Sequence, residues 1–118
     1  MKKILLALPV LLLSACATTD NAINTTPGTN NVFKCSDNSQ VIASYSKNGD
    51  IAYLNVNMPK IKLSNQALTL NEAVSGSGAR YINTSNSDVS YEWHTKADEG
   101  IMSVTWSNGQ EYSVSCVK

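Results

Sequence analysis

The sequence predicts an all-β domain, a small antiparallel barrel of about eight strands. Three observations carry that expectation. Beyond residue 32 the chain breaks into short runs rich in Val, Ile, Tyr, Trp and Thr, separated by Asn, Asp, Ser and Gly, which is the composition of strands and their turns. Apolar residues alternate with polar ones at Ala52, Leu54 and Val56, at Met102, Val104 and Trp106, and at Tyr112, Val114 and Cys116, so each set lines one face. Two Asn-Gly pairs, at 48–49 and 108–109, lie between alternating runs. Two-residue hairpins need such residues because they tolerate positive φ.

The first element is a targeting segment. Met1, Lys2 and Lys3 put positive charge ahead of an apolar run over residues 4–13, and Ser14, Ala15 and Cys16 follow, the pattern of a secretory signal. A spanning helix needs about 20 apolar residues, whereas this run is far shorter and contains Pro9. The box Leu-Ser-Ala-Cys at 13–16 resembles the lipobox of bacterial lipoproteins. That resemblance implies a signal peptide over 1–15 and a diacylglycerol on the thiol of Cys16. Ala17 stands where aspartate means retention at the inner membrane, so it implies the outer membrane of a Gram-negative cell, with the domain facing periplasm or cell surface. Two or more acyl chains anchor a protein stably where one does not, so the membrane is an expected partner through the lipid.

Residues 17–31 are Thr, Asn and Ala with a Pro-Gly pair and only Ile23 among large apolar residues. They read as a tether, about 50 Å long if stretched at roughly 3.3 Å per residue. The remaining residues, 32–118, have room for one modest core and no second domain. Without Lys2 and Lys3 the mature chain carries seven basic against nine acidic residues, a balance of minus two. No basic patch argues for nucleic acid, and no cofactor motif is present.

Three cysteines are an odd number for an exported protein. With Cys16 assigned to lipid, Cys35 and Cys116 are left as a pair at the two ends of the domain. One disulfide between them would close 81 residues between positions 35 and 116 and stabilise the fold by roughly 4 to 5 kcal/mol in the chain-entropy model. Two free thiols is the alternative, disfavoured outside the cytoplasm.

Expected strands cover 32–36, 40–46, 51–56, 60–64, 67–70, 78–82, 89–95 and 101–106, with 110–116 a ninth if 67–70 is real. In so short a chain, closing the sheet removes exposed edges better than an open sandwich does.

Two stretches stand apart: Ser-Gly-Ser-Gly-Ala-Arg-Tyr at 75–81 and Trp-His-Thr-Lys-Ala-Asp-Glu at 93–99. With Phe33, Lys34 and Cys35 near the start and Cys116 near the end, they resemble the membrane-bound lysozyme inhibitors of c-type lysozyme and their periplasmic relatives. The resemblance spans essentially the whole folded domain. It implies that Ser77 and Lys96 enter the lysozyme cleft and engage its two catalytic carboxyl groups. One such group protonates the leaving oxygen and the other attacks or stabilises the sugar. A hydroxyl can donate to one while an ammonium pairs with the other, and partial desolvation strengthens both contacts. Gly76 and Gly78 would let the backbone approach closely, Tyr81 would brace the base of the loop, and Arg80 would touch the rim or cover apolar surface with its stem.

Two departures from the family pattern stand out. Residues 83–88 are longer than the tight turn usual there, implying an extended hairpin between Ser77 and Lys96. Ala97 replaces the glycine usual after the lysine, and alanine held at positive φ would strain or re-aim Lys96.

An enzyme has little support. His94 is the only histidine, and alternation places it with Glu92 and Lys96, opposite Tyr91 and Trp93. The residues around Ser77 do not form a Gly-x-Ser-x-Gly elbow. The rival to an inhibitor is an envelope lipoprotein that holds some other macromolecule on the same small domain. Monomer and dimer both stay open.

Overall fold

The computed structural model describes residues 30–118. The expected signal peptide, the expected lipidation site Cys16 and the expected tether up to residue 29 lie outside the described residues. Eight strands run in chain order: β1 (Asn31–Cys35), β2 (Gln40–Tyr45), β3 (Ile51–Met58), β4 (Leu63–Ala73), β5 (Ala79–Asn86), β6 (Val89–Lys96), β7 (Glu99–Trp106) and β8 (Glu111–Val117). Each pairs antiparallel with the next, and β8 returns to β1, so the sheet closes into a barrel. The closing seam is short. It contains two register pairs, Lys34 with Val117 and Cys35 with Cys116, and the disulfide Cys35–Cys116 lies across it. The covalent bond therefore reinforces the pairing with the fewest ladder contacts.

Alternation puts Val41, Ala52, Leu54, Val56, Leu70, Trp93, Met102, Val104 and Val114 inside. Trp93 is the largest fully buried side chain. Its ring meets Phe33 edge-on at 4.9 Å between centroids, a geometry that the ring quadrupoles favour. Its Nε1–H donates to the Tyr45 hydroxyl at 3.1 Å, which satisfies the polar end of the indole. Gly100, on β7, makes the room: a Cβ there would stand 2.4 Å from the indole.

The strand boundaries differ from expectation in two places. Segments 60–64 and 67–70 are not two strands. Pro59 opens a 3-10 turn, Pro59–Ile61, Lys62 follows at φ 61°, and a single eleven-residue strand, β4, begins at Leu63. Asn65, which reads as a break, adopts φ 52° and donates its N–H to Asn57 Oδ1 at 2.9 Å. It sits beside a register shift between Val56 and Met58, so the interruption is a bulge within a continuous strand. Residues 83–86, expected as loop, belong to β5, with a register irregularity between Asn83 and Asn86.

The Asn-Gly turns are also wider than two residues. Ser46 N–H bonds to the Ile51 carbonyl and Trp106 N–H to the Gln110 carbonyl. These bonds enclose four and three residues respectively, with Gly49 and Gly109 supplying the positive φ.

Strand direction sorts the connections into two ends. The β2–β3, β4–β5 and β6–β7 connections, the start of β1 and the end of β8 form the upper end. The other four connections form the lower end.

Candidate functional site

Residues 74–78 join β4 to β5 at the upper end and carry Ser77, which is exposed. Gly78 has φ 67°, and a Cβ on it would stand 2.2 Å from the Thr95 carbonyl oxygen and 3.1 Å from the Lys96 Cβ. The loop backbone therefore lies directly against the end of β6, and only glycine fits. Gly76 faces open space, so of the two glycines only Gly78 serves a close approach, and that approach is to the protein's own strand. The loop that carries Ser77 is thus packed through Gly78 on the strand end that carries Lys96, and Ser77 and Lys96 are both exposed at this end of the barrel. The register from Ala79–Thr95 to Asn83–Tyr91 is regular here. The irregularity of 83–86 falls at the far end of the hairpin and leaves this spacing intact.

Lys96 closes β6 opposite Glu99. Among the described residues it forms no ion pair, and Asp98 pairs instead with Lys118 at 3.7 Å. The ammonium is thus available to a carboxylate from outside. Ala97 does adopt the left-handed conformation, at φ 56°, so the glycine-like turn persists at a cost of roughly 1 to 2 kcal/mol.

Two outward side chains hold the loop. Arg80 donates from Nη1 to the Val74 carbonyl at 3.2 Å and from Nε to Glu92 Oε2 at 3.0 Å. His94 Nε2 lies 3.0 Å from the Ser77 carbonyl, which also accepts from Ser75 Oγ at 2.6 Å. Arg80 is therefore engaged in a half-exposed ion pair and a loop contact.

Tyr81 points inward and is 4% exposed. Its hydroxyl donates to the Gly49 carbonyl at 2.8 Å, tying the β2–β3 turn to β5, and its ring lies 5.4 Å from that of Tyr45. Burial, with further contributions from Tyr45, Glu72 and Asp50, pushes its phenol above the ordinary range. Phe33, Tyr45, Tyr81, Thr95 and Ala97 line a shallow cavity of about 250 Å³ in the barrel mouth. Among the described residues no group of three or more His, Cys, Asp or Glu could hold a metal ion.

This upper-end geometry joins the two segments that carry the family motif. The model of the family described as membrane-bound lysozyme-inhibitor of c-type lysozyme matches residues 33–111, well over half of the 118 residues. The chain belongs to that family. Comparison with curated proteins and with solved structures found no match.

Sequence reasoning missed three contributors: His94 and Ser75 as loop contacts, and Gly100 beneath Trp93. Alternation did put His94 on one face with Glu92 and Lys96, but it did not join Arg80 to them. What makes them a set is the cross-strand register Arg80–His94 and Ile82–Glu92, which the sequence does not display.

Proposed function

We propose that this protein is a lipid-anchored inhibitor of c-type lysozyme, protecting peptidoglycan by inserting the loop that carries Ser77 into the active-site cleft beside Lys96. The observation that supports the reading is the packing of Gly78 on Thr95 and Lys96, which sets the loop that carries Ser77 against the strand end that carries Lys96. Retaining glycosidases keep their two carboxyl groups roughly 5 Å apart, a separation that neighbouring side chains can bridge. In the cleft the Ser77 hydroxyl donates to one carboxyl group while Lys96 pairs with the other, and lost solvent strengthens both contacts. Tyr81 and Gly78 fix the base of the loop, and Arg80 fixes its start. A diacylglycerol on Cys16 holds the domain at the outer membrane.

Mature chain carrying Cys16→Ser, mixed with a panel of lysozymes in a cell-wall lysis assay, tests this. The expected result is stoichiometric inhibition of a c-type enzyme. Lys96→Ala should weaken it by about 2 to 5 kcal/mol, the cost of unpairing a buried charge, and Ser77→Ala by about 1 kcal/mol, with the fold unchanged by circular dichroism. Full inhibition by the double variant would move the active surface elsewhere. Failure to inhibit any lysozyme would favour an envelope lipoprotein that binds another macromolecule.

A further inference from the structure

We propose that His94 is a positioning residue for the inhibitory loop: a proton on its Nε2, donated to the carbonyl of Ser77, fixes the conformation in which Ser77 is presented. This deepens the inhibitor reading and rests on it for the role of Ser77.

The loop has few other restraints. Val74 is 91% exposed, Gly76 has nothing near the position of a Cβ, Ser77 is exposed, and only Gly78 rests on the end of β6. Its two ends are tied down by a matched pair of donors. At the entry, Arg80 Nη1 reaches the Val74 carbonyl at 3.2 Å. At the exit, His94 Nε2 reaches the Ser77 carbonyl at 3.0 Å. Arg80 and His94 are direct cross-strand partners on β5 and β6, so the two ties stand next to each other on the outer face of one hairpin. Glu92 fixes Arg80 in turn through contacts of 3.0 and 3.4 Å.

Hydrogen-bond chemistry selects the tautomer. A carbonyl oxygen only accepts, so a bare lone pair on Nε2 would face lone pairs at 3.0 Å. Ser75 Oγ already donates to the same carbonyl at 2.6 Å and lies 3.3 Å from Nε2. Its hydrogen is committed, and it presents a lone pair to the ring. Both neighbours of Nε2 therefore call for a donor, and the ring carries its proton there. Doubly bonded, the Ser77 carbonyl cannot rotate freely, and the side chain on the same residue is aimed with it. A loop ordered before encounter does not have to be ordered during it, which raises the fraction of inhibitor able to bind.

Two measurements test the inference on the mature chain carrying Cys16→Ser. Long-range proton–nitrogen correlation spectra of the imidazole, recorded in mildly alkaline buffer, should show Nε2 protonated and Nδ1 bare. A proton on Nδ1 would overturn the proposal. The second compares His94→Gln, whose terminal amide reaches the place of Nε2, with His94→Asn, whose amide reaches only that of Nδ1. Glutamine should keep inhibition within about twofold, while asparagine should weaken it about tenfold and speed amide exchange at residues 76–78 by a similar factor. Equal behaviour of the two variants, whether both intact or both impaired, would contradict a donor role. If the unaltered protein inhibits no lysozyme, the inhibitor reading fails, and the tautomer and exchange results still decide whether His94 orders the loop.

Discussion

The two ends of the barrel are built on different terms. At the lower end each turn is closed by its own residues first, with the Tyr112 hydroxyl reaching Asp37 and the Ser107 N–H the Asp88 carbonyl as further ties. Ser39 N–H bonds to Asp37 Oδ1 at 2.9 Å, Asp88 N–H to Asn86 Oδ1 at 2.7 Å and Gln110 N–H to Asn108 Oδ1 at 2.9 Å, while Lys62 N–H returns to the Pro59 carbonyl. These are side-chain and backbone turns spanning two or three residues, formed wherever Asp, Asn or Pro occurs at the right offset. At the upper end the β4–β5 loop depends on His94, 17 residues away from Ser77, and on the backbone of Thr95. The β2–β3 turn is tied to Tyr81, 32 residues from Gly49. A turn that satisfies itself has no conformation left to tune, whereas a loop fixed by distant residues can be given a shape that its own sequence would not adopt. Loops that bind are positioned in this way by the scaffold beneath them.

Substitutions at matched glycines should break the comparison most visibly. Gly78 and Gly109 both have positive φ, but a methyl at Gly78 would collide with the Thr95 carbonyl, while one at Gly109 meets nothing within 4 Å. Gly78→Ala should therefore displace the loop and lower lysozyme inhibition by about 100-fold or more, consistent with roughly 3 kcal/mol of lost contacts. Gly109→Ala should leave inhibition unchanged and cost about 1 to 2 kcal/mol of stability for its φ alone. Inhibition titrations and thermal melts of the two variants check both halves.

A smaller effect of opposite sign belongs to Ala97. Because it already occupies φ 56°, Ala97→Gly should stabilise the domain by about 1 kcal/mol, raising the melting temperature by roughly 4 to 8 °C for a domain of this size. Inhibition should be retained. A drop in melting temperature would mean that alanine is not strained there.

The smallest expected effect is at the lower end. Burial works to raise the carboxyl of Asp37, but hydrogen bonds from Ser39 and from the Tyr112 hydroxyl outweigh it and hold the group below its ordinary value of 3.8. A carboxyl lowered in the fold favours its charged form there, so its contribution to stability is present above about pH 3.8 and disappears as pH falls through the lower folded value. Melts between about pH 5 and pH 2 should show a shallower acid loss for Asp37→Asn than for the unaltered chain, with lysozyme inhibition at neutral pH untouched.

The same contrast explains what the sequence made legible. Strand identity at Ala52, Leu54 and Val56 or at Met102 and Val104 follows from a period of two, and the pairing of Cys35 with Cys116 follows once Cys16 is assigned to lipid. Counting such runs suggests about eight strands, and the closure follows from the need of so short a chain to remove exposed edges. Asn65 and residues 83–86 were misread because a bulge and a chain break share the same residues, and only the partner strand distinguishes them. At the site, Ser77 and Lys96 came from the family motif, not from physics read along the chain. The packing of Gly78 on Lys96, and the parts played by His94 and Gly100, depend on which residues face each other across strands. Gly100 illustrates the difficulty: nothing local calls for glycine there, and the reason is an indole on the neighbouring strand.

Titration of a c-type lysozyme into the nitrogen-labelled mature domain, followed by amide chemical shifts, tests the central claim most directly. The account predicts that changes concentrate at residues 74–78 and 95–98 and leave the turns at 36–39 and 107–110 unmoved. Changes centred on those lower turns, with the loop that carries Ser77 unaffected, would contradict it.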